Sequence, residues 1–247
     1  MNKRLLIGPA ALFLVWAITA KLHLIDPFFL PDPVSIIGKL FGLLGHDGIV
    51  PDLLSTLWRV AVSFIAAITI GLPAGLVLGT SERLYRSVEF LIDFFRSTPA
   101  TAMFPLFLLV FGVTDASKIA VAAFSSALII VFNTAYGVMH AKKSRILAAR
   151  IMGAKRHQIF RWILFWESLP QTFVGLRSAA SLSLVVIIVT EMFIGTASGL
   201  GRKIIDFQIT YEINAMYATI LMAGIVGYAM NLAFVLAERR FLHWSGK

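Results

Sequence analysis

The sequence predicts an all-α integral membrane protein. Of its 247 residues, 58% are hydrophobic and only 14% are charged, and the mean hydropathy is +0.84. A soluble domain carries about 25% charged residues. The apolar runs reach the ~20 residues that a spanning helix needs and exceed the ~10 alternating residues of a barrel strand. We therefore expect six transmembrane helices, at about 5–22, 57–79, 90–112, 119–139, 173–194 and 215–237.

The first predicted span follows two basic residues, Lys3 and Arg4. This pattern is also typical of a secretory signal peptide, but we expect a retained span. The connection to the second span contains three prolines, Pro27, Pro31 and Pro33, which disfavour a continuous helix. After them, residues 34–44 could form a short amphipathic helix at the outer surface.

The second predicted span contains glycines at every fourth position, Gly71, Gly75 and Gly79. Small residues at this spacing allow two membrane helices to pack closely, so we assign these glycines to helix packing.

The third predicted span places Arg96, Pro99 and Met103 on one helical face. A charge inside a span is a functional candidate by default, and an arginine near an inner gate could attract an anion. Alternatively, Arg96 reaches the cytoplasmic headgroups.

A polar segment separates the fourth and fifth predicted spans. Residues 144–166 contain helix formers interrupted by Gly153, and glycine favours a break or a turn. We predict two short helices that meet at an elbow, where the small side chains of Ala148 and Ala149 would admit a partner surface. The other interpretation is an amphipathic segment bound to lipid headgroups.

The fifth predicted span ends in a carboxylate, Glu191. On a helix this residue shares one side with Ser183, Ile187 and Thr190, so these four are candidates for lining a translocation path. Glu191 could instead shape the following Ser-Gly-Leu-Gly loop, paired with a nearby basic residue such as Arg202 or Lys203. A carboxylate in the path of an anion would repel it, which favours this second role.

Basic residues gather in alternate loops, at both termini and in the connections after the second and fourth spans. Lysine and arginine accumulate in cytoplasmic loops, so we expect both termini to be cytoplasmic. The formal charge of +9 is therefore explained without nucleic acid. We interpret residues 1–247 as a single transmembrane domain, with residues 144–170 as a cytoplasmic loop within it.

No catalytic, cofactor-binding or metal-binding motif is visible in the sequence. It has no cysteine, its five histidines are scattered, and neither a phosphate-cradling loop nor a zinc-protease motif is present. An intramembrane enzyme is therefore disfavoured. A stand-alone secondary transporter would need a coupling-ion site and often shows inverted repeats, and we find neither.

The stretch LAARIMGAKRHQIFRWILFWESLP, residues 147–170, resembles the cytoplasmic loop of ABC importer permeases. That loop has the pattern Glu-Ala-Ala, three residues, Gly, nine residues and Ile, followed by a proline. The matching residues here are Ala148, Ala149, Gly153, Ile163 and Pro170. Leu147 stands where the family has glutamate, and Trp166 where it often has a proline.

Other stretches resemble the nitrate/sulfonate/taurine branch of these permeases, among them FLPDPVSII, FFRSTPATAMFPLFLLVFG and EMFIGTASGLG. The resemblance implies a permease subunit without catalytic activity in a bacterial inner membrane. The implied partners are a second copy of the chain, two ATPase subunits that bind ATP and Mg²⁺, a substrate-binding protein and membrane lipid. The implied cargo is a small anion or, alternatively, an uncharged cofactor precursor.

Overall fold

The computed structural model describes residues 7–45, 48–193 and 196–242, and every regular element in these ranges is helical. Helices α1 (Ile7–Lys21), α2 (Pro33–Gly45), α3 (Val50–Gly79), α4 (Glu82–Ser97), α5 (Ala100–Phe111) and α6 (Asp115–Met139) come first. They are followed by α7 (Lys143–Ile151), α8 (Arg156–Ile159), a π-helical turn (Phe160–Leu164), α9 (Phe165–Glu191), α10 (Leu200–Ile209) and α11 (Ile213–Phe241). The predicted all-α membrane architecture is confirmed.

Four of the described helical segments are long and apolar enough to cross a membrane. These are Val50–Gly79, Asp115–Met139, Arg156–Glu191 and Ile213–Phe241, and a bent pair of helices brings the number to at most five. The predicted first span corresponds to α1, which has 15 described residues. This is shorter than the ~20 residues of a full crossing; Leu5, Leu6, Lys3 and Arg4 lie outside the described residues.

The third predicted span was wrong as a single straight helix. Residues 90–112 belong to α4 and α5, whose axes meet at 98°. Thr98 and Pro99 are both in extended backbone conformations between the two helices. Proline disfavours the α conformation in the residue before it, so the chain turns where a run of apolar residues alone suggested continuity.

The chain divides into two compact units. The first consists of Met1–Ser55 with Glu191–Val226, and the second of Thr56–Thr190 with Gly227–Lys247. The interpretation of the chain as one domain stays a prediction.

The core of the first unit forms around α2. Asp32 accepts hydrogen bonds from the amides of Val34 (3.0 Å) and Ser35 (3.3 Å), and Pro33 occupies the first position of the helix, where its missing N–H costs nothing. The buried face of α2 packs with residues of the α10 and α11 segments, in a cluster of Ile36, Leu40, Leu43, Ile49, Leu200, Ala218 and Met222. The short helix expected at residues 34–44 is therefore present.

The second unit is built on close contacts among α3, α6 and α9. Gly71, Gly75 and Gly79 face α6: a Cβ atom on Gly75 would lie 2.8 Å from the carbonyl oxygen of Val131. Gly175 of α9 likewise packs on Asn133 of α6. Hydrogen bonds join the same helices, since Ser126 Oγ donates to the Ala179 carbonyl (3.1 Å). Small residues thus let backbones approach closely enough for polar side chains to bridge helices.

Candidate functional site

Helix α7 ends at Ile151, and a left-handed turn at Gly153 follows it. Gly153 has φ +81°, a conformation that glycine adopts without the steric cost of a Cβ atom. The Ala154 amide donates to the Ala149 carbonyl (2.9 Å), and the Gly153 amide donates to the Arg150 carbonyl (3.0 Å). These two bonds form a Schellman motif, which ends the helix and turns the chain. The elbow that the sequence predicted is thus present at this glycine.

Helix α7 presents an apolar surface to its surroundings. Leu147 is 59% exposed, Ile151 80% and Met152 86%, and Ala148 is exposed beside them. Residues three or four positions apart are neighbours on a helix surface. Leu147 and Ala148 therefore lie beside Ile151, and Ala148 beside Met152, the residue that caps α7. We call these four residues the α7 tip. None of the nine residues of α7 is buried.

After the elbow, the chain continues as one long helical segment, which is apolar enough to cross a membrane. Four residues of α8 lead into the π turn Phe160–Leu164, and the turn continues directly into α9. The Phe165 amide donates to the Phe160 carbonyl, five residues earlier, as in a π-helix. Ile163 lies in this turn.

The predicted end of the coupling helix at Trp166 was wrong, as was the placement of Pro170 before the next span. Pro170 lies inside α9. The helix runs without a break from Arg156 to Glu191. The helical stretch after Gly153 and the fifth predicted span are therefore one segment.

An ion pair joins α7 to the start of α9. The guanidinium of Arg145 donates through Nη1 to Oε1 of Glu167. The Arg145 side chain is 60% exposed, but that of Glu167 is only 14% exposed. This contact could not be read from the sequence, where the two residues are 22 positions apart and nothing marks them as partners.

The bend between α4 and α5 separates the residues that the sequence placed on one face. Arg96 lies at the end of α4, Pro99 precedes α5, and Met103 lies within α5. The expectation of a common helical face for these three residues was wrong. The Arg96 guanidinium lies 3.7 Å from the centre of the Phe132 ring and 3.3 Å from Asp93 Oδ1, so it is held by neighbours on α4 and α6.

The other candidate path residues are buried in the packing of the chain. Ser183 Oγ lies 2.6 Å from Ser63 Oγ, and Thr190 donates to the Ile187 carbonyl (2.9 Å). Ser183, Ile187 and Thr190 are fully buried. In this structure they support helix packing, and their role in a translocation path stays a prediction.

Two carboxylates bind the amides of the Ser-Gly-Leu-Gly loop at the start of α10. Glu191, fully buried, accepts a hydrogen bond from the Gly201 amide (3.0 Å). Asp52 accepts one from the Gly199 amide (2.8 Å), and Lys203 Nζ lies 3.7 Å from its other oxygen. Anions at a helix N-terminus stabilise the unpaired amides and the helix dipole.

Sequence analysis assigned no role to Asp52. Its sequence separation of 147 residues from Gly199 left no local signal of the contact. Arg202, considered as a partner of Glu191, lies 2.8 Å from Asp206. Within the described ranges no group of three or more His, Asp or Glu residues could hold a metal ion.

The chain shares its fold with a chain of a solved ABC transporter. The chain superposes with a TM-score of 0.67 on a chain of the inward-facing MetNI methionine ABC transporter. The identity is 24%, and the match covers 77% of this chain and 94% of the other. This likeness defines the fold, and the family follows from the sequence.

Residues 67–243 match the family described as "binding-protein-dependent transport system inner membrane component", and the chain belongs to this family. It is 28% identical to the taurine transport system permease protein of Escherichia coli, over 96% of this chain and 88% of that protein. It is also 28% identical to the nitrate import permease protein of a Synechocystis species, over 93% and 85% of the two chains. The resemblance to nitrate/sulfonate/taurine permeases is thereby confirmed.

Proposed function

We propose that this chain is the membrane subunit of an ATP-driven importer in a bacterial inner membrane. Two copies form the translocation path for a small anionic solute, which a substrate-binding protein delivers. The family membership of residues 67–243 supports the permease role. The anion class is supported by relatives that are named for taurine and nitrate transport.

The α7 tip carries the proposal that this subunit docks on an ATPase. Leu147 and Ile151 are exposed on a helix that has no buried residue, and Met152 is exposed directly after it, next to the turn at Gly153. An apolar patch with basic neighbours fits a groove on a protein partner, in the way that an amphipathic helix fits a hydrophobic groove. Ala148 leaves room for that partner to approach the helix backbone.

ATP and Mg²⁺ belong to the partner in this proposal. The sequence contains no G-x-x-x-x-G-K-[ST] motif, whose backbone amides would cradle phosphates. Closure of two ATPase subunits would move the two α7 helices together. Because α8, the π turn and α9 form one helical segment, the motion would pass into the membrane as a rigid-body displacement and expose the path.

A charge introduced at the α7 tip tests the docking. We expect Ile151→Glu to reduce the ATPase that co-purifies with the permease by more than about tenfold, because an unpaired carboxylate in an apolar contact costs more than about 1.4 kcal/mol. Gln158→Glu, on the exposed part of α8, introduces the same charge outside the tip and should leave the complex intact. An Ile151→Glu complex that assembles and transports as wild type does would contradict the docking.

The same reconstituted complex identifies the cargo. Binding proteins loaded with taurine, an alkanesulfonate, nitrate or bicarbonate are expected to stimulate its ATP hydrolysis. If an uncharged cofactor precursor stimulated ATP hydrolysis and these anions did not, the cargo would be the precursor and the proposed anion class would be wrong. Solute flux through the purified chain without ATP would instead indicate a secondary transporter.

A further inference from the structure

The orientation of α7 is not set by a hydrophobic core. The helix has no buried residue, and it continues into α8 through the glycine turn at Gly153. Side chains that remain exposed contribute little packing energy to hold a helix in place. A displacement of such a helix would be absorbed by the turns at its two ends unless another contact transmits it.

The Arg145–Glu167 ion pair supplies that contact. Within the described part of the chain, it is the one salt bridge that α7 makes with another helix. The Glu167 side chain is largely shielded from solvent, being 14% exposed. A shielded carboxylate is screened less by water and salt than a surface charge, so it holds the guanidinium more firmly than a fully exposed partner would.

The space around this pair is not filled by apolar side chains. A recess of about 570 Å³ is bordered by both members of the pair and by Trp162, Trp166 and Pro170. The polar contact therefore bridges a region where close packing between α7 and the base of α9 is incomplete.

The pair lies beside the two positions at which residues 147–170 differ from the permease loop that they resemble. Leu147 stands in the position of the usual glutamate and Trp166 in that of a common proline, as noted above. Glu167 directly follows the second of these positions, and Arg145 precedes the first by two residues. Helix α7 has no carboxylate of its own, and Glu167 of α9 supplies the one that binds it.

We propose that Arg145 and Glu167 are positioning residues that form a strut, through which α7 and α9 move as one body. Displacement of the α7 tip by an ATPase then reaches the transmembrane part of α9 instead of bending the elbow at Gly153. This inference rests on the proposed function, because it concerns the transmission of force that the docking generates.

The strut is tested by the ratio of solute molecules transported to ATP molecules hydrolysed. In the reconstituted complex, Glu167→Gln and Arg145→Gln are each expected to lower this ratio by about fivefold, in the range of measured pairwise couplings. The amount of co-purified ATPase should stay at the wild-type level. The exchange Arg145→Glu with Glu167→Arg restores the pair with reversed charges and should return the ratio to within about twofold of wild type.

Arg161→Gln is the matched control, since it removes the same charge from an exposed residue of the same loop. It should leave the ratio unchanged. Wild-type coupling in both single variants, or an exchange variant no better than the single ones, would overturn the strut. Loss of ATPase binding in the wild-type protein would instead overturn the docking.

A second measurement does not need the ATPase. The chain has no cysteine, so spin labels can be attached to Ile151→Cys at the α7 tip and Val185→Cys on the exposed side of α9. We expect a narrow distance distribution in this background and after the charge exchange, and a broader one with Glu167→Gln. A distribution that Glu167→Gln leaves unchanged would refute the strut even where no complex forms.

Discussion

At position 199, the backbone conformation and the neighbouring side chains both require glycine. Its φ of +128° is a backbone conformation that residues with a Cβ atom rarely adopt. A Cβ atom there would also lie within 2.6 Å of both carboxylate oxygens of Glu191. Its amide donates to Asp52, so the glycine lets two carboxylates reach the N-terminus of α10.

We predict that Gly199→Ala lowers the free energy of unfolding by at least about 2 kcal/mol, because strain and steric overlap act together. Thermal unfolding of the purified protein in detergent measures the effect. Gly224→Ala is the control in the same unit, because a Cβ atom there meets nothing within 4 Å. An unchanged midpoint for Gly199→Ala would show that the Ser-Gly-Leu-Gly loop is not held as described.

At the scale of elements, the contact between α3 and α6 depends on glycines in register. Gly71, Gly75 and Gly79 each meet a turn of α6, and at each position the neighbouring atoms include a backbone carbonyl oxygen. A backbone atom cannot move aside as the end of a long side chain can. The distance between these two helices is therefore set by the absence of side chains on one of them.

Gly75→Ala is expected to destabilise the protein by about 1–2 kcal/mol, since overpacking exceeds the gain in helix propensity. The added Cβ would lie 2.7 Å from Thr134 Cβ. Gly42→Ala in α2, where the space is open, should leave stability unchanged or raise it slightly. Equal unfolding midpoints for the two variants would mean that α3 and α6 are not in close contact.

At the scale of the whole molecule, the distribution of basic residues predicts the orientation in the membrane. The loops that contain them, including the elbow, should face the cytoplasm, and the loop before α10 should face outward. The absence of cysteine makes single-cysteine variants suitable for testing this.

We expect Gln158→Cys, outside the α7 tip, to react with a membrane-impermeant maleimide only in inverted vesicles, and Ala197→Cys only in intact spheroplasts. Both positions are exposed, so access should depend on the side of the membrane. Solubilised protein, in which both cysteines should react, is the control. The reverse labelling pattern would show that the topology is the opposite of the predicted one. The elbow would then not be cytoplasmic, and an ATPase could not dock on it.

The sequence by itself determined the helical membrane class, the elbow at Gly153 and the family. These follow from local properties, namely the length of apolar runs, the conformational freedom of glycine and the spacing of a motif. Even so, a hydropathy pattern does not show a bend. Residues 90–112 are mostly apolar, so we predicted one span and missed the turn at Thr98 and Pro99.

Only the tertiary structure decided which side chains meet. The Arg145–Glu167 pair, the binding of Gly199 by Asp52 and the position of Arg96 over Phe132 each join residues distant in sequence. The physical reason is that hydrogen bonds and ion pairs act over a few ångströms in space, so their partners are chosen by how helices pack. Pro170 illustrates the same point, because the helix that continues through it is stabilised by neighbouring helices as well as by its own sequence.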